Sequence, residues 1–137
     1  MTQFDDILAL ARASRAQAYA PYSGYAVGAV LTTASGNNYS GCNVENSASP
    51  QGTCAEAGAI SAMVHAGERD IRAVLVMGPS GPACTPCGGC RQKLAEFARA
   101  STPVRVCDPD ALLLETTLGE LLPFAFGPAN VADAPDE

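Results

Sequence analysis

A strand, a helix and a second strand that follow one another in the middle of the chain constrain its fold most strongly. The run "IRAVLVM" (Ile71–Met77) is short, apolar and rich in branched side chains, which is typical of a buried strand. A helix is predicted from about Gly88 to Arg99, and a strand from Val104 to Cys107. Because the links are short, the three elements form a βαβ unit, and we expect parallel strands with a right-handed connection.

Hydrophobic periodicity predicts the elements on either side of this unit. Apolar residues recur at helical spacing over residues 3–19, which predicts an amphipathic helix. Alternation over residues 25–31, the turn "ASGNN" and the segment Tyr39–Cys42 predict a hairpin. A second helix is predicted from Thr53 to about Ala66, and "TLGELLPFAF" predicts a short last helix that stops at Pro123.

The order of these elements predicts how they are layered. Strands that alternate with helices favour an α/β fold, in which helices cover both faces of a mixed, roughly five-stranded sheet. We therefore expect a single three-layer α/β/α domain over residues 1–126. Residues 127–137 are rich in Pro, Ala and acidic residues, and we expect them to form an acidic, flexible tail.

Composition restricts the partners of the chain. Apolar residues make up 47% of the sequence and charged residues 16%, so we expect further copies of the chain to cover part of the surface. The net charge is −6 and Lys93 is the only lysine, which argues against binding to nucleic acid. The N-terminal segment carries acids where a signal peptide is positive, and no apolar run is long enough for a membrane span. We expect a soluble cytoplasmic protein.

Three cysteines stand where two of the predicted helices begin. Cys54 opens one helix, and Cys87 and Cys90, in "TPCGGCRQ", open the next. The unpaired N–H groups and the positive end of the dipole at a helix N-terminus favour thiolate over thiol. Three thiolates suit zinc, and three protein ligands leave open the fourth position that a catalytic zinc requires.

The cysteines also allow other interpretations. Cys84, Cys87 and Cys90 have the C-x₂-C-x₂-C spacing of iron–sulfur proteins, but Leu94 replaces the usual fourth cysteine. A fourth thiol, such as that of Cys84, would instead make a closed structural zinc site. Two ordinary buried cysteines are the plainest alternative. His65 lies eleven residues after Cys54, which is too far along the helix for it to join the site.

Glu56 has two possible roles. It stands three residues after Thr53, and Thr-x-x-Glu fits a capping box in which the carboxylate bonds a backbone N–H. The neighbouring thiol of Cys54 favours a second role, because a carboxylate beside the open face of a zinc ion can take a proton from bound water and pass it to a substrate. We therefore take Glu56 as the candidate general base and acid.

Several motifs together resemble one enzyme family. "CAE" at 54–56 and "PCGGCRQ" at 86–92 resemble the signature of the zinc-dependent cytidine deaminases. Three further segments resemble the short, homotetrameric form of that family: "YAPYSGYAVGAVL" (19–31), "GCNVEN" (41–46) and "ELLPFAFGP" (120–128).

The resemblance implies a fold of the cytidine deaminase type and a hydrolase of pyrimidine salvage. The reaction would convert cytidine and deoxycytidine to uridine and deoxyuridine with release of ammonia, by zinc-activated water and with Glu56 as the proton shuttle. Cys54, Cys87 and Cys90 would hold one zinc ion per subunit, in a homotetramer with active sites at subunit interfaces. There are two alternatives. The chain could deaminate another cytosine-type nucleoside or analogue, or it could be a non-catalytic structural zinc or iron–sulfur module.

The resemblance also assigns substrate contacts. Asn43 and Glu45 match the positions that hydrogen-bond the ribose hydroxyls. Tyr25 matches the position of an aromatic residue, usually Phe, that packs on the pyrimidine. The Ala55 N–H and the Thr85 carbonyl would contact the carbonyl and amino groups of the base. Phe126 resembles an aromatic residue that covers the pocket of a neighbouring subunit.

Two positions depart from the family pattern. Ala57 stands where many members have an Arg that hydrogen-bonds the cysteine sulfurs, and Ser49 where a Tyr often braces the ribose-binding residues. We expect Arg91 and Gln92 to serve as hydrogen-bond donors behind the metal ligands. Our hypothesis is that Arg91 carries more of the charge compensation than it does in other members.

Overall fold

The computed structural model describes residues 3–131. Its strands are β1 (Gly28–Thr33), β2 (Asn38–Cys42), β3 (Ile71–Met77), β4 (Pro103–Cys107) and β5 (Leu112–Thr117). Its α-helices are α1 (Gln3–Ala16), α2 (Ala55–His65), α3 (Gly88–Ala95) and α4 (Leu118–Leu121), and short 3-10 turns lie at Ser49–Gln51 and Pro128–Asn130. No helix of this described part is long and apolar enough to cross a membrane.

The strands form one mixed sheet in the order β2-β1-β3-β4-β5. The βαβ unit predicted from the sequence is present, since β3 and β4 are parallel with Val74 opposite Val104. β1 is antiparallel to both β2 and β3, and β5 is antiparallel to β4. The parallel pair places the loop before α3 at the carboxyl end of β3, which is where α/β sheets bind ligands.

Helices cover both faces of the sheet, and each face has its own core. On one face, Met63 of α2 and Leu94 of α3 pack with Val76 and Val104 of the sheet. On the other face, Ile7 and Ala11 of α1 pack against other sheet residues, Val30, Leu75, Met77 and Cys107. The predicted three-layer α/β/α architecture is confirmed.

Two glycines let helices lie directly on strands. A Cβ added at Gly41 of β2 would stand 2.4 Å from the backbone N of Ala59 and 2.6 Å from the carbonyl O of Ala55. One added at Gly28 of β1 would stand 2.4 Å from the carbonyl O of Ala11. The close approach at Gly41 fixes the first turns of α2 against the sheet and so places the residues that begin this helix.

Several predicted bounds differ from those in the structure. The first helix ends at Ala16 rather than near residue 19, because Tyr19 pairs with Val44. α3 ends at Ala95 rather than Arg99, since the Phe97 carbonyl accepts a hydrogen bond from the Ile71 N–H. The predicted tail at 127–137 begins with the 3-10 turn, and its residues 132–137 lie outside the described part, so the domain and tail boundaries stay predictions.

Candidate metal centre and active site

Three cysteine thiols converge where α2 and α3 begin. Cys54 is the N-cap of α2, Cys87 is the N-cap of α3, and Cys90 lies in the first turn of α3. Their sulfur atoms all lie within 4.8 Å of one another, and the Sγ atoms of Cys54 and Cys87 are 3.9 Å apart. The tight packing of α2 on β2 and the βαβ connection together bring the two helix starts to one point.

The donor set fits zinc. Zinc–sulfur bonds of about 2.3 Å in a tetrahedral site place the sulfurs about 3.8 Å apart, close to the Cys54–Cys87 separation. Three thiols occupy three corners and leave the fourth for water or substrate. Cys84 does not belong to this group, and its thiol interacts with Tyr25 instead. Neither the closed four-cysteine site nor the C-x₂-C-x₂-C ligand set is therefore formed.

The three thiols have different environments. The pKa of Cys87 is lowered, first by a hydrogen bond from the Cys90 backbone N–H. This is the effect expected of a helix N-terminus. Burial raises the pKa of Cys54 and of Cys90, and Cys90 is fully buried. Because metal binding requires thiolates, a cation with its positive charge has to offset the cost of ionising these two thiols.

Glu56 is a buried carboxyl group beside the thiols. Its exposed fraction is 4%, and desolvation raises its pKa, against the opposing effects of a hydrogen bond from its own backbone N–H, of the Cys90 thiol and of the Lys93 charge. The N-cap of α2 is Cys54, so Glu56 occupies the second helical position and the capping box with Thr53 is not formed. A buried carboxyl group beside the thiols is suited to proton transfer.

A cleft of about 860 Å³ opens onto these groups. The described residues that line it include the thiols of Cys54 and Cys87, the carboxyl group of Glu56, and five of the predicted substrate contacts: Tyr25, Asn43, Glu45, Ala55 and Thr85. The cleft is large enough for a nucleoside-sized ligand. The structure thus brings together residues from four separate segments of the chain.

Phe126, the sixth predicted substrate contact, lies elsewhere on the same chain. It lines a smaller cleft of about 110 Å³ beside Ala95 and Leu122, and 63% of it is exposed. Its backbone carbonyl accepts a hydrogen bond of 2.9 Å from Gln92 Nε2. This placement is compatible with a role toward a neighbouring subunit.

Arg91 ties the metal-binding loop to the C-terminal part of the chain. Its side chain donates to the carbonyl O of Pro86 (2.6 Å), to the carbonyl O of Leu121 (2.9 Å) and to Thr85 Oγ1 (3.3 Å). All three acceptors are oxygen atoms. Arg91 and Gln92 therefore hold the backbone at Pro86, directly before Cys87, and at Leu121 and Phe126 in the C-terminal part of the chain. The charge compensation that we hypothesised for Arg91 stays a prediction.

Asn43 and Glu45 hold the backbone of the segment that carries Tyr25. Asn43 Oδ1 accepts from the Val27 N–H (2.9 Å), and Asn43 Nδ2 donates to the Tyr25 carbonyl (2.8 Å). The Asn43 side chain thus bonds the Val27 N–H that a neighbouring strand would otherwise pair, and β1 begins at Gly28 rather than at residue 25. The interaction with Cys84, together with burial, raises the pKa of Tyr25 to about 12, so its hydroxyl stays protonated.

Ser23 is a cleft residue that the sequence analysis missed. It hydrogen-bonds the Glu45 carboxylate, and its hydroxyl also accepts from the Tyr25 N–H (3.0 Å). The signal available in the sequence was the turn "PYSGY", in which Gly24 has the left-handed φ of +66°. A turn alone does not reveal a partner 22 residues away.

Comparison with known proteins decides the family. The family model for the "cytidine and deoxycytidylate deaminase zinc-binding region" matches residues 1–105. The chain belongs to the cytidine and deoxycytidylate deaminase family. The match includes all three cysteines of the metal centre as well as Glu56.

Individual members of the family resemble the whole chain. A cytidine deaminase of Sporosarcina psychrophila is 38% identical over 133 residues, which are 97% of this chain and 98% of that protein. The crystal structure of cytidine deaminase from Burkholderia pseudomallei superposes with a TM-score of 0.85 at 38% identity, covering 92% of this chain and 100% of the other. The crystal structure of cytidine deaminase from Mycobacterium tuberculosis superposes with a TM-score of 0.79 at 33% identity, covering 93% of this chain and 99% of the other.

These comparisons confirm the predicted family, the fold class and the class of enzyme, a zinc-dependent hydrolytic deaminase. The cluster of three cysteines fits one zinc ion per chain, as predicted for this family. The roles of individual residues at the site stay predictions.

Proposed function

We propose that this deaminase family member hydrolyses cytidine and deoxycytidine to uridine and deoxyuridine, with release of ammonia. The observation that carries the proposal is the buried Glu56 carboxyl group beside three converging thiols, in a cleft of nucleoside size. The cytidine deaminases that resemble the chain over nearly its full length support the choice of substrate.

Proton transfer is the task of Glu56. A zinc ion held by Cys54, Cys87 and Cys90 would supply the Lewis acidity that makes water nucleophilic near neutral pH. The Glu56 carboxylate accepts the proton that water loses and delivers it to N3 of the cytosine ring. The hydroxyl oxygen then bonds to C4. Glu56 passes the remaining proton of this C4 hydroxyl to the amino group, the C4–N bond breaks to release ammonia, and the oxygen stays on C4 as the carbonyl of uridine.

The remaining cleft residues bind and orient the nucleoside. Tyr25 packs on the pyrimidine, and Asn43 and Glu45 hydrogen-bond the sugar hydroxyls. The Ala55 N–H donates to the base carbonyl, and the Thr85 carbonyl accepts from its amino group. Exclusion of water by the walls of the cleft strengthens each of these contacts.

A free nucleoside fits the charge of the chain better than a polynucleotide does. The net charge is −6, so the chain as a whole repels a phosphate backbone. We infer a role in pyrimidine salvage in the cytoplasm, where reducing conditions keep the metal-binding thiols available.

The functional unit that we propose is a homotetramer with active sites at subunit interfaces. Phe124 is fully exposed, and Phe126 and Tyr22 are each more than 60% exposed. Large aromatic side chains in this state mark a surface that another chain covers. In the tetramer, Phe126 of one subunit covers the cleft of its neighbour.

Replacing Glu56 by Gln tests the proposed function. The amide keeps the size of the side chain but cannot carry the proton, so we expect turnover of cytidine to fall at least ~10²- to 10⁴-fold. Loss of absorbance in the cytosine band measures turnover, and elemental analysis should show that zinc content is unchanged.

Glu96→Gln is the matched control, because Glu96 is exposed at the end of α3. It should turn over at the parental rate. If Glu56→Gln keeps the parental rate, the proton-transfer role is wrong. If the zinc-loaded parent leaves cytidine and deoxycytidine unchanged, the proposed substrates are wrong.

A further inference from the structure

The Glu45 carboxylate is largely engaged before any ligand arrives. Its Oε1 accepts from the backbone N–H groups of Tyr22 (3.0 Å) and Ser23 (3.1 Å), and its Oε2 accepts from the Ser23 hydroxyl. A carboxylate has about four acceptor positions, and these bonds use three of them. One position on Oε2 remains for a ligand, and the Ser23 hydroxyl determines where it points.

The Ser23 hydroxyl also bonds the backbone of Tyr25, the residue that we propose packs on the base. It accepts from the Tyr25 N–H (3.0 Å), while the Tyr25 carbonyl accepts from Asn43 Nδ2 (2.8 Å). A continuous chain of hydrogen bonds therefore runs from Glu45 through Ser23 and Tyr25 to Asn43. Every member of this chain lines the same cleft.

The charge state of Glu45 agrees with this arrangement. The pKa of Glu45 is lowered, first by the Ser23 hydroxyl, so the group remains an anionic acceptor at neutral pH. A hydrogen bond to an ionised acceptor is stronger and more directional than one between neutral groups. The two backbone N–H groups thus hold Oε1 of the carboxylate, and the Ser23 hydroxyl holds Oε2, which carries the remaining acceptor position.

We propose that Ser23 is a positioning residue for the sugar of the substrate. Its hydroxyl orients the free acceptor position of the Glu45 carboxylate and fixes this carboxylate relative to Tyr25. The inference rests on the proposed function, because it takes Glu45 as the sugar-binding group and Tyr25 as the base-binding group. Ser23 itself need not touch the nucleoside.

Binding of two product-type nucleosides to the zinc-loaded protein tests this role. Uridine carries the 2′ and 3′ hydroxyls, and 2′,3′-dideoxyuridine lacks them. We expect Ser23→Ala to weaken uridine about tenfold in calorimetry, the effect of one misdirected charge-assisted hydrogen bond. Binding of the dideoxy compound should change less than about twofold, since it makes no bond to Glu45.

Two further variants separate positioning from general damage. Ser23→Thr keeps the hydroxyl and should bind both nucleosides as the parent does. Ser61→Ala makes the same chemical change on an exposed turn of α2 and should also match the parent. In a Glu45→Gln background, Ser23→Ala should add less than about twofold, because the group through which it acts is already altered.

Three outcomes would overturn the proposal, and a fourth would separate it from the proposed reaction. Equal weakening of both nucleosides, or full additivity with Glu45→Gln, would show that Ser23 does not act through the sugar-binding carboxylate. Thermal melting is measured alongside, and an unfolded Ser23→Ala protein would assign Ser23 a structural role only. If uridine binding depends on Ser23 as expected but the parent protein does not deaminate cytidine, the proposed reaction is wrong and the positioning role of Ser23 stands.

Discussion

At the residue scale, Glu68 is a second carboxylate that accepts several hydrogen bonds, and it does not line the cleft. It follows α2 and accepts from Ser35 Oγ (2.5 Å), from Asn37 Nδ2 (2.9 Å) and from the Tyr39 hydroxyl. The donors belong to the β1–β2 hairpin, so this one side chain joins the hairpin to the end of the helix that begins at the metal centre. These hydrogen bonds, first that of Ser35, lower the pKa of Glu68 from 4.5 to about 2.

The lowered pKa predicts how stability varies with pH. A group whose pKa is depressed by folding stabilises the native state above its unfolded pKa, and this contribution is lost as pH falls through the folded value. The Glu68 contribution should be complete above about pH 5 and should decline between about pH 4.5 and 2. Glu68→Gln should therefore lower the free energy of unfolding at pH 7, by a margin that narrows on acidification.

Urea unfolding at several pH values measures this margin. Glu96→Gln, on an exposed side chain, serves as the control and should track the parent at every pH. A margin that stays constant or widens toward acid pH would contradict the assignment.

Residues that converge at the candidate site could be predicted where they stand in a short motif. Cys54, Glu56, Cys87 and Cys90 stand in short motifs at helix starts. The expected preference of a helix N-terminus for thiolate is present at Cys87, whereas burial raises the pKa of Cys54 and of Cys90. Ser23 and Glu68 escaped prediction because their roles depend on contacts across 22 and 33 residues, respectively. A hydroxyl or carboxylate in a polar loop looks the same whether or not folding brings it a partner.

At the scale of elements, the contact between α2 and β2 controls the position of the metal centre. Gly41→Ala would place a methyl group against the backbone of Ala59 and Ala55, and neither can move without moving the helix. We expect a loss of about 1–3 kcal/mol in the free energy of unfolding. Zinc affinity should fall as well, because the shifted helix carries Cys54.

Gly127→Ala is the control for this prediction, since no heavy atom lies within 4 Å of the added Cβ and φ is −147°. Chemical unfolding and metal competition with a chelator measure the two effects. A Gly41→Ala protein with parental stability and zinc affinity would show that the helix does not depend on this approach.

A helix or strand could be predicted where its local sequence pattern matches its burial in the fold. β3 was predicted at its observed bounds, because a buried strand needs an uninterrupted apolar run. β5 was not predicted: it is a partly exposed edge strand, and "LLLETT" does not alternate. Pairing with β4 stabilises this strand, including the ion pair of 3.0 Å between Arg105 and Glu115, and such tertiary contacts are not visible in a local pattern.

At the scale of the whole molecule, the proposed tetramer predicts complementation between two defective subunits. Glu56→Gln removes proton transfer from a subunit's own cleft, whereas Phe126→Ala removes the cover that the subunit gives to its neighbour. Each variant should have low activity alone. In mixed assemblies, a subunit with Glu56 intact receives Phe126 from a Glu56→Gln neighbour, so activity should rise several-fold above that of either variant.

Mixing Glu56→Gln with Cys90→Ala is the matched negative control, because both lesions then affect the cleft of their own chain and no mixed assembly repairs them. Light scattering should give a mass about four times the 14.0 kDa of one chain. A monomeric mass, or mixtures of the Phe126 variant that stay inactive, would contradict the proposed arrangement.

The bonds from Arg91 and Gln92 have a consequence for how such an assembly matures. These two residues directly follow the ligand Cys90, and they grip the carbonyl groups of Leu121 and Phe126. The first turn of α3, which carries two of the proposed zinc ligands, is thus bonded to the segment that contains Phe126. In the proposed tetramer, a subunit that lacks its zinc ion should therefore reduce activity at two sites: its own cleft and the cleft of the neighbour that its Phe126 covers.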